Sequence, residues 1–126
     1  MVVFHFNGPN CELPQQCPPG FHYYFDYVAE TQFQFGSVEN LLNTDASCRI
    51  TRGESGKHRA FFGINNFLQL PHADVAPTIN AIDFLKSRVE TCMSLNGGID
   101  VSFLYADHWS IGDLLTFANE YNRQLG

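Results

Sequence analysis

Long apolar runs are missing from this chain. None approaches the roughly 18–20 residues that cross a bilayer, so no transmembrane segment is expected. Basic residues are scarce as well: seven Lys and Arg stand against thirteen Asp and Glu, a formal net charge of −6. That balance argues against a nucleic-acid backbone or an anionic membrane surface as the main partner. No C-x-x-C pair occurs, which removes zinc ribbons and thioredoxin-type redox sites. Dinucleotide and P-loop glycine patterns, H-E-x-x-H, EF-hand loops and G-x-S-x-G are absent too. His5, His22, His58, His72 and His108 include no pair one helical turn apart. No metal and no cofactor is therefore expected. The first residues, Met1-Val2-Val3-Phe4-His5-Phe6, have no basic n-region and do not read as a signal peptide.

What is present suits one folded domain. The 126 residues are 44% apolar and 14% aromatic, with twelve Phe, enough to bury a core of wide packed layers. Cys11, Cys17, Cys48 and Cys92 form an even set with irregular spacing. Four cysteines allow three pairings, and sequence does not choose among them. We favour Cys11 with Cys17 and Cys48 with Cys92, as in an oxidising compartment, against four reduced thiols.

Apolar patterning divides the chain into alternating strands and helices. Val2 to Phe6 reads as a short strand ended by the turn Asn7-Gly8-Pro9-Asn10. Phe21, Tyr24, Phe25 and Val28 recur at helical spacing. Residues 30–59 show little periodicity and read as a long surface excursion tied down through Cys48, with a helical turn at Ser37 to Leu42. Ala60 to Leu68 reads as a second strand, apolar on both faces. Val75, Ile79, Ile82, Leu85, Val89 and Cys92 follow at intervals of 4, 3, 3, 4 and 3. They form the clearest amphipathic helix, started by Asp74 and ended at Asn96-Gly97-Gly98. Ile99 to Ala106 is a third strand. Ser110 then caps a last helix with Ile111, Leu114, Leu115 and Ala118 inward. Doubly apolar strands separated by helices predict a parallel α/β sheet: a small layered domain, or about three βα units of a larger (β/α) barrel.

Ligands of parallel βα architectures meet the carboxyl ends of the strands. The polar candidates there are His5 and Asn7, then Asn65 and Asn66, then Asp107, His108 and Trp109. Each also has a structural explanation. His5 fits a core histidine, the asparagines fit backbone satisfaction, Asp107 fits a turn, and His108 and Trp109 fit rim packing. Glu30-Thr31 reads as a boundary feature. Arg49, Arg52, Lys57 and Arg59 read as solvated surface that is also able to meet a phosphate.

The segments GINNFLQLPHADVAPTIN, FLKSRVETC and VSFLYADHWSIGDLLTFANEYN resemble the C-terminal part of phosphatidylinositol-specific phospholipase C-like phosphodiesterases of the small secreted kind. The shared pattern is Asn66-Phe67, Pro71, Asn80, and Asp107 running through Gly112-Asp113; VVFHFNG and YVAETQF with Cys48 extend it. The resemblance implies a distorted TIM-like barrel, of which residues 1–126 are the C-terminal half. It implies phosphodiester cleavage by a histidine base, a histidine acid and a cation, with phosphoinositide-like lipids as substrates. Both family histidines lie on early strands without a counterpart here, so the chain alone is expected to be inactive. Asp107 would be an auxiliary group orienting a histidine outside this chain. His5, Asn66, His108 and Trp109 would line the substrate pocket. The parent is expected to be secreted, and the open strand edges to seek the missing half or a second copy. The competing reading is a non-catalytic half-barrel that binds a partner. A third is a small independent enzyme using His5, Asp107 and His108.

Overall fold

The computed structural model describes residues 3–5, 19–53 and 60–126. Strand β1 (Val3–His5) pairs in parallel with β2 (Phe21–Tyr23). One helical turn, α1 (Tyr24–Tyr27), leads straight into β3 (Val28–Thr31). The aromatic block is thus strand, turn and strand where its spacing predicts one helix. Aromatics suit either state, and here pairing partners decide.

The stretch expected as an excursion holds structure over its described part. Short helices α2 (Val38–Leu42) and α3 (Thr44–Ser47) are capped by Ser37 Oγ and Asn43 Oδ1, which accept from Asn40 N and Ala46 N. Strand β4 (Ile50–Arg52) then returns antiparallel along β3, pairing Arg52 with Glu30 and Ile50 with Thr31. Three residues are too few to show a period, which hides β4 from a pattern reading.

Strand β5 (Phe61–Asn66) runs parallel to β3, and β6 (Val101–Ala106) runs parallel to β5. The sheet order is β4-β3-β5-β6. This is a mixed α/β fold with a mostly parallel four-stranded sheet.

The amphipathic segment breaks into α4 (Ala76–Ile79) and α5 (Ile82–Leu95). Asn80 causes the break by turning its polar groups to another segment. Its Nδ2 donates to the carbonyls of Asp107, His108 and Ile111 at 3.2, 3.4 and 3.1 Å, and its own carbonyl accepts from Asp113 N at 2.8 Å. Asp113 Oδ2 in turn accepts from Ile82 N at 3.1 Å. The last helix therefore starts later than the Ser110 cap predicts: α6 spans Leu114–Leu125 with Asp113 at the N-cap position. Phe117 is its buried residue, while Leu115, expected inward, is exposed.

Packing is one-sided. Ala29, Phe62 and Ile64 point from the sheet toward Leu85, Val89 and Cys92 of α5 and Phe117 of α6. Cys48 at the end of α3 is bonded to Cys92, closing a separation of 44 residues. Cys11 and Cys17, the other favoured pair, lie outside the described residues. A smaller cluster of Phe35, Leu41, Leu68 and Ile79 fills the space at the carboxyl ends of the strands.

Arg88 sits between the two clusters, fully buried. Its guanidinium donates to the carbonyls of Leu41 and Asn65 at 3.3 and 3.0 Å and to Ser47 Oγ, and lies 5.5 Å from the centre of the Phe35 ring. Carbonyl oxygens replace a carboxylate as its partners, and burial pushes its pKa down to about 10.

Candidate functional site

The resemblance motif residues converge on a brace beneath the carboxyl end of the sheet. Asn66, fully buried, donates from Nδ2 to Ile79 O at 2.9 Å and to Asn80 Oδ1 at 3.4 Å. Asn80 holds the loop 107–113 through the three carbonyls named above. Gly112 permits this approach: with φ +87°, it would place a Cβ 2.8 Å from that of Asn80. Asn66, Asn80 and Gly112 therefore tie two loops together through the two buried amide nitrogens, while Asn66 Oδ1 is buried without a hydrogen bond.

The other expected site residues are placed variously. Asp107 is half-buried, with its main-chain carbonyl in the brace. His108 adopts φ +50°, and its Nε2 is buried without a hydrogen bond. Trp109 beside it is 60% exposed. Asn65 is buried and donates from Nδ2 to Thr31 O. His5 contributes backbone to β1, paired with Tyr23. The side chain of His5, and Asn7, lie outside the described residues.

A second group assembles on the sheet face opposite α5. Alternation along β3 turns Ala29 into the core and Glu30 the other way. The antiparallel register sets Arg52 across from Glu30, and the two form an ion pair with Glu30 2% exposed. The contact joins an Nη of Arg52 to Glu30 Oε1, and Arg52 Nε is buried without a hydrogen bond. Tyr24 donates its hydroxyl to Glu30 Oε2 at 3.4 Å and also meets the hydroxyl of Tyr105 from β6. Phe25 and Phe33 flank the Arg52 guanidinium at 4.9 and 4.3 Å from their ring centres, within cation–π range.

Gly63 makes this convergence possible. It lies in β5 between Glu30 and Tyr105, and a Cβ there would stand 3.1 Å from Tyr105 Cε2 and 3.4 Å from Glu30 Cβ. The bare backbone leaves the lane through which Tyr105 reaches across one strand to Tyr24.

Electrostatics keep the two phenols protonated. Burial, then the contact with Tyr105, raises the pKa of Tyr24, against a smaller opposing pull from Arg52. Burial also raises that of Tyr105, while the bond from Tyr24 and the charge of Arg52 lower it. Arg52 itself is held somewhat below its usual value by desolvation. The cluster thus offers neutral hydroxyl donors and a paired cation. The anionic oxygen it orients and stabilises is the carboxylate of Glu30, and it contains no histidine to shuttle a proton near neutral pH.

No family model, curated protein or solved structure matches this chain.

Among the described residues, no group of three or more His, Cys, Asp or Glu gathers to hold a metal. No helix among them is long and apolar enough to cross a membrane. Sequence reading missed the Tyr24–Glu30–Arg52–Tyr105 cluster. Its available signals were a glycine inside an apolar strand and one acid within Val28-Ala29-Glu30-Thr31. Arg52, read as solvated surface, is about one-third exposed and committed to Glu30.

Proposed function

We propose that this chain is the C-terminal portion of a phospholipase C-like phosphoric diester hydrolase, inactive by itself. The reading rests on one observation: β3, β5 and β6 run parallel in chain order, helices cover one face, and polar groups meet on the other near the strand ends. In a barrel that second face looks inward, toward the substrate. Glu30, Arg52, Tyr24 and Tyr105 would form one wall of the pocket, Asp107 would orient a histidine from the missing arc, and His5, Asn66, His108 and Trp109 would surround the phosphodiester. Strand β6, paired only with β5 among the described strands, is the edge through which the sheet would continue. The substrate would be a phosphoinositide-like lipid, and the parent secreted, the compartment in which a Cys48–Cys92 bond persists.

One observation favours a non-catalytic module instead. Antiparallel β4 covers the edge of β3 that a closed barrel would pair with an earlier parallel strand. The coding sequence upstream of Met1 separates the two readings. Two histidine-bearing strands there, and phosphatidylinositol turnover by the extended product that is lost when either histidine is replaced, support the hydrolase. Their absence leaves the module. Turnover of phosphatidylinositol by the 126-residue chain alone overturns the assignment of catalysis to the missing arc.

A further inference from the structure

A cleft opens at the other end of the sheet, between α5 and α6, where both helices finish. Its volume is about 230 Å³, below the roughly 300–1,000 Å³ of sites that take drug-sized ligands. The floor is apolar and aromatic: Val89, Met93, Phe117 and Tyr121. The rings of Phe117 and Tyr121 stack with centres 5.8 Å apart. Tyr121 is held in place by its hydroxyl, which accepts from Val101 N and donates to Met93 Sδ. The floor is therefore built and oriented before any ligand arrives.

The rim is mostly acidic. Glu90, Asp100 and Glu120 line it against Lys86 alone, and Lys86 Nζ is already bonded to Glu120 Oε2 at 2.8 Å. The pair raises the pKa of Lys86, so that ammonium stays charged and occupied. Glu90 and Asp100 remain as excess negative charge. Met93 from the last turn of α5 and Leu125 at the end of α6 both line the cleft. Aromatic faces attract cations too.

We propose that this cleft binds a small organic cation, an ammonium or quaternary ammonium carried on an apolar body. The apolar part sits against Phe117 and Tyr121 while the charged head lies between Glu90 and Asp100. The site is at the amino end of the strands and stands independently of the hydrolase reading, which concerns the opposite end.

Titrating the purified chain with benzyltrimethylammonium, by calorimetry and by NMR of the α5 and α6 amides, tests this. Saturable binding is expected, with shifts centred on Met93, Phe117 and Tyr121, and binding at least about tenfold weaker for benzyl alcohol and for benzenesulfonate. The double variant Glu90→Gln, Asp100→Asn alters exposed residues only, and is expected to lose about tenfold in affinity with an unchanged melting temperature. Leu125→Arg, which puts a cation at the mouth, is expected to weaken binding further. Absence of saturable binding, equal binding of benzyl alcohol, or an unchanged affinity in the folded double variant overturns the proposal.

Discussion

The two faces of the sheet are built from the same strands and solve different problems. Toward α5 and α6, Ala29, Phe62 and Ile64 meet Leu85, Val89, Cys92 and Phe117 in an apolar core locked by a disulfide. On the other side, alternate residues of the same strands present Glu30, Gly63 and Tyr105, joined by Arg52 and Tyr24. Burial of hydrocarbon stabilises the first face, with no directional demand. The second depends on hydrogen bonds and charge, whose net contributions are smaller and whose geometry is strict. Folding should therefore rest mainly on the helix-covered face, and the polar face should be free to serve a site.

Substitutions can break that division. Phe62→Ala is expected to cost the most, about 3–5 kcal/mol, because a fully buried ring leaves a cavity against α5. Urea unfolding measures it. A loss near that of a surface change would mean that the core does not carry the fold. Reduction of Cys48–Cys92 is expected to cost about 2–4 kcal/mol, given the long loop it closes. Melting with and without reductant checks this.

Gly63→Ala reaches the polar face and should cost about 1–2 kcal/mol, since the new methyl group crowds Tyr105 and Glu30. Urea unfolding again provides the value. A neutral result would show that Tyr105 moves aside without cost, and that the Tyr24 contact is dispensable.

The smallest effect is spectroscopic. Tyr24 and Tyr105 have folded pKa values raised above the ordinary phenol value of 10.0. The stability they contribute is complete below pH 10 and falls as pH rises beyond it, because the unfolded chain releases those protons first. Arg88, lowered to about 10 from 12.5, acts in the opposite sense: its burial cost is full below pH 10 and eases above. Tyrosinate absorbance isolates the phenols. Tyr24 and Tyr105 should ionise above the ordinary phenol range, together with alkaline unfolding. In Tyr105→Phe, Tyr24 should ionise earlier, because the hydrogen bond that helps raise its pKa is gone. Unchanged late ionisation in that variant would leave burial as the sole cause.

Much of the helix-covered face was legible in the chain. The apolar runs at Ala60 to Leu68 and Ile99 to Ala106 contain β5 and β6, and the repeat from Val75 to Cys92 covers most of α5. The favoured pairing of Cys48 with Cys92 appears as a bond. Periodicity is a local property, and long elements display it. The short elements β2, β3 and β4 were not legible, because three or four residues carry no period. Asn80 shows the same limit inside a long pattern. Its neighbours keep helical spacing, yet its amide is claimed by carbonyls about 30 residues away, and the helix breaks there.

The amino-acid order alone determined an acidic α/β domain with a mostly parallel core, since composition and spacing act through local propensity and burial. Only the tertiary structure decided which polar side chains became neighbours. Glu30 and Arg52 meet through an antiparallel register, and Tyr24 and Tyr105 meet, 81 residues apart, across a glycine. Those encounters depend on strand pairing, which is settled by the packing of the whole sheet and leaves no mark in a short window of sequence.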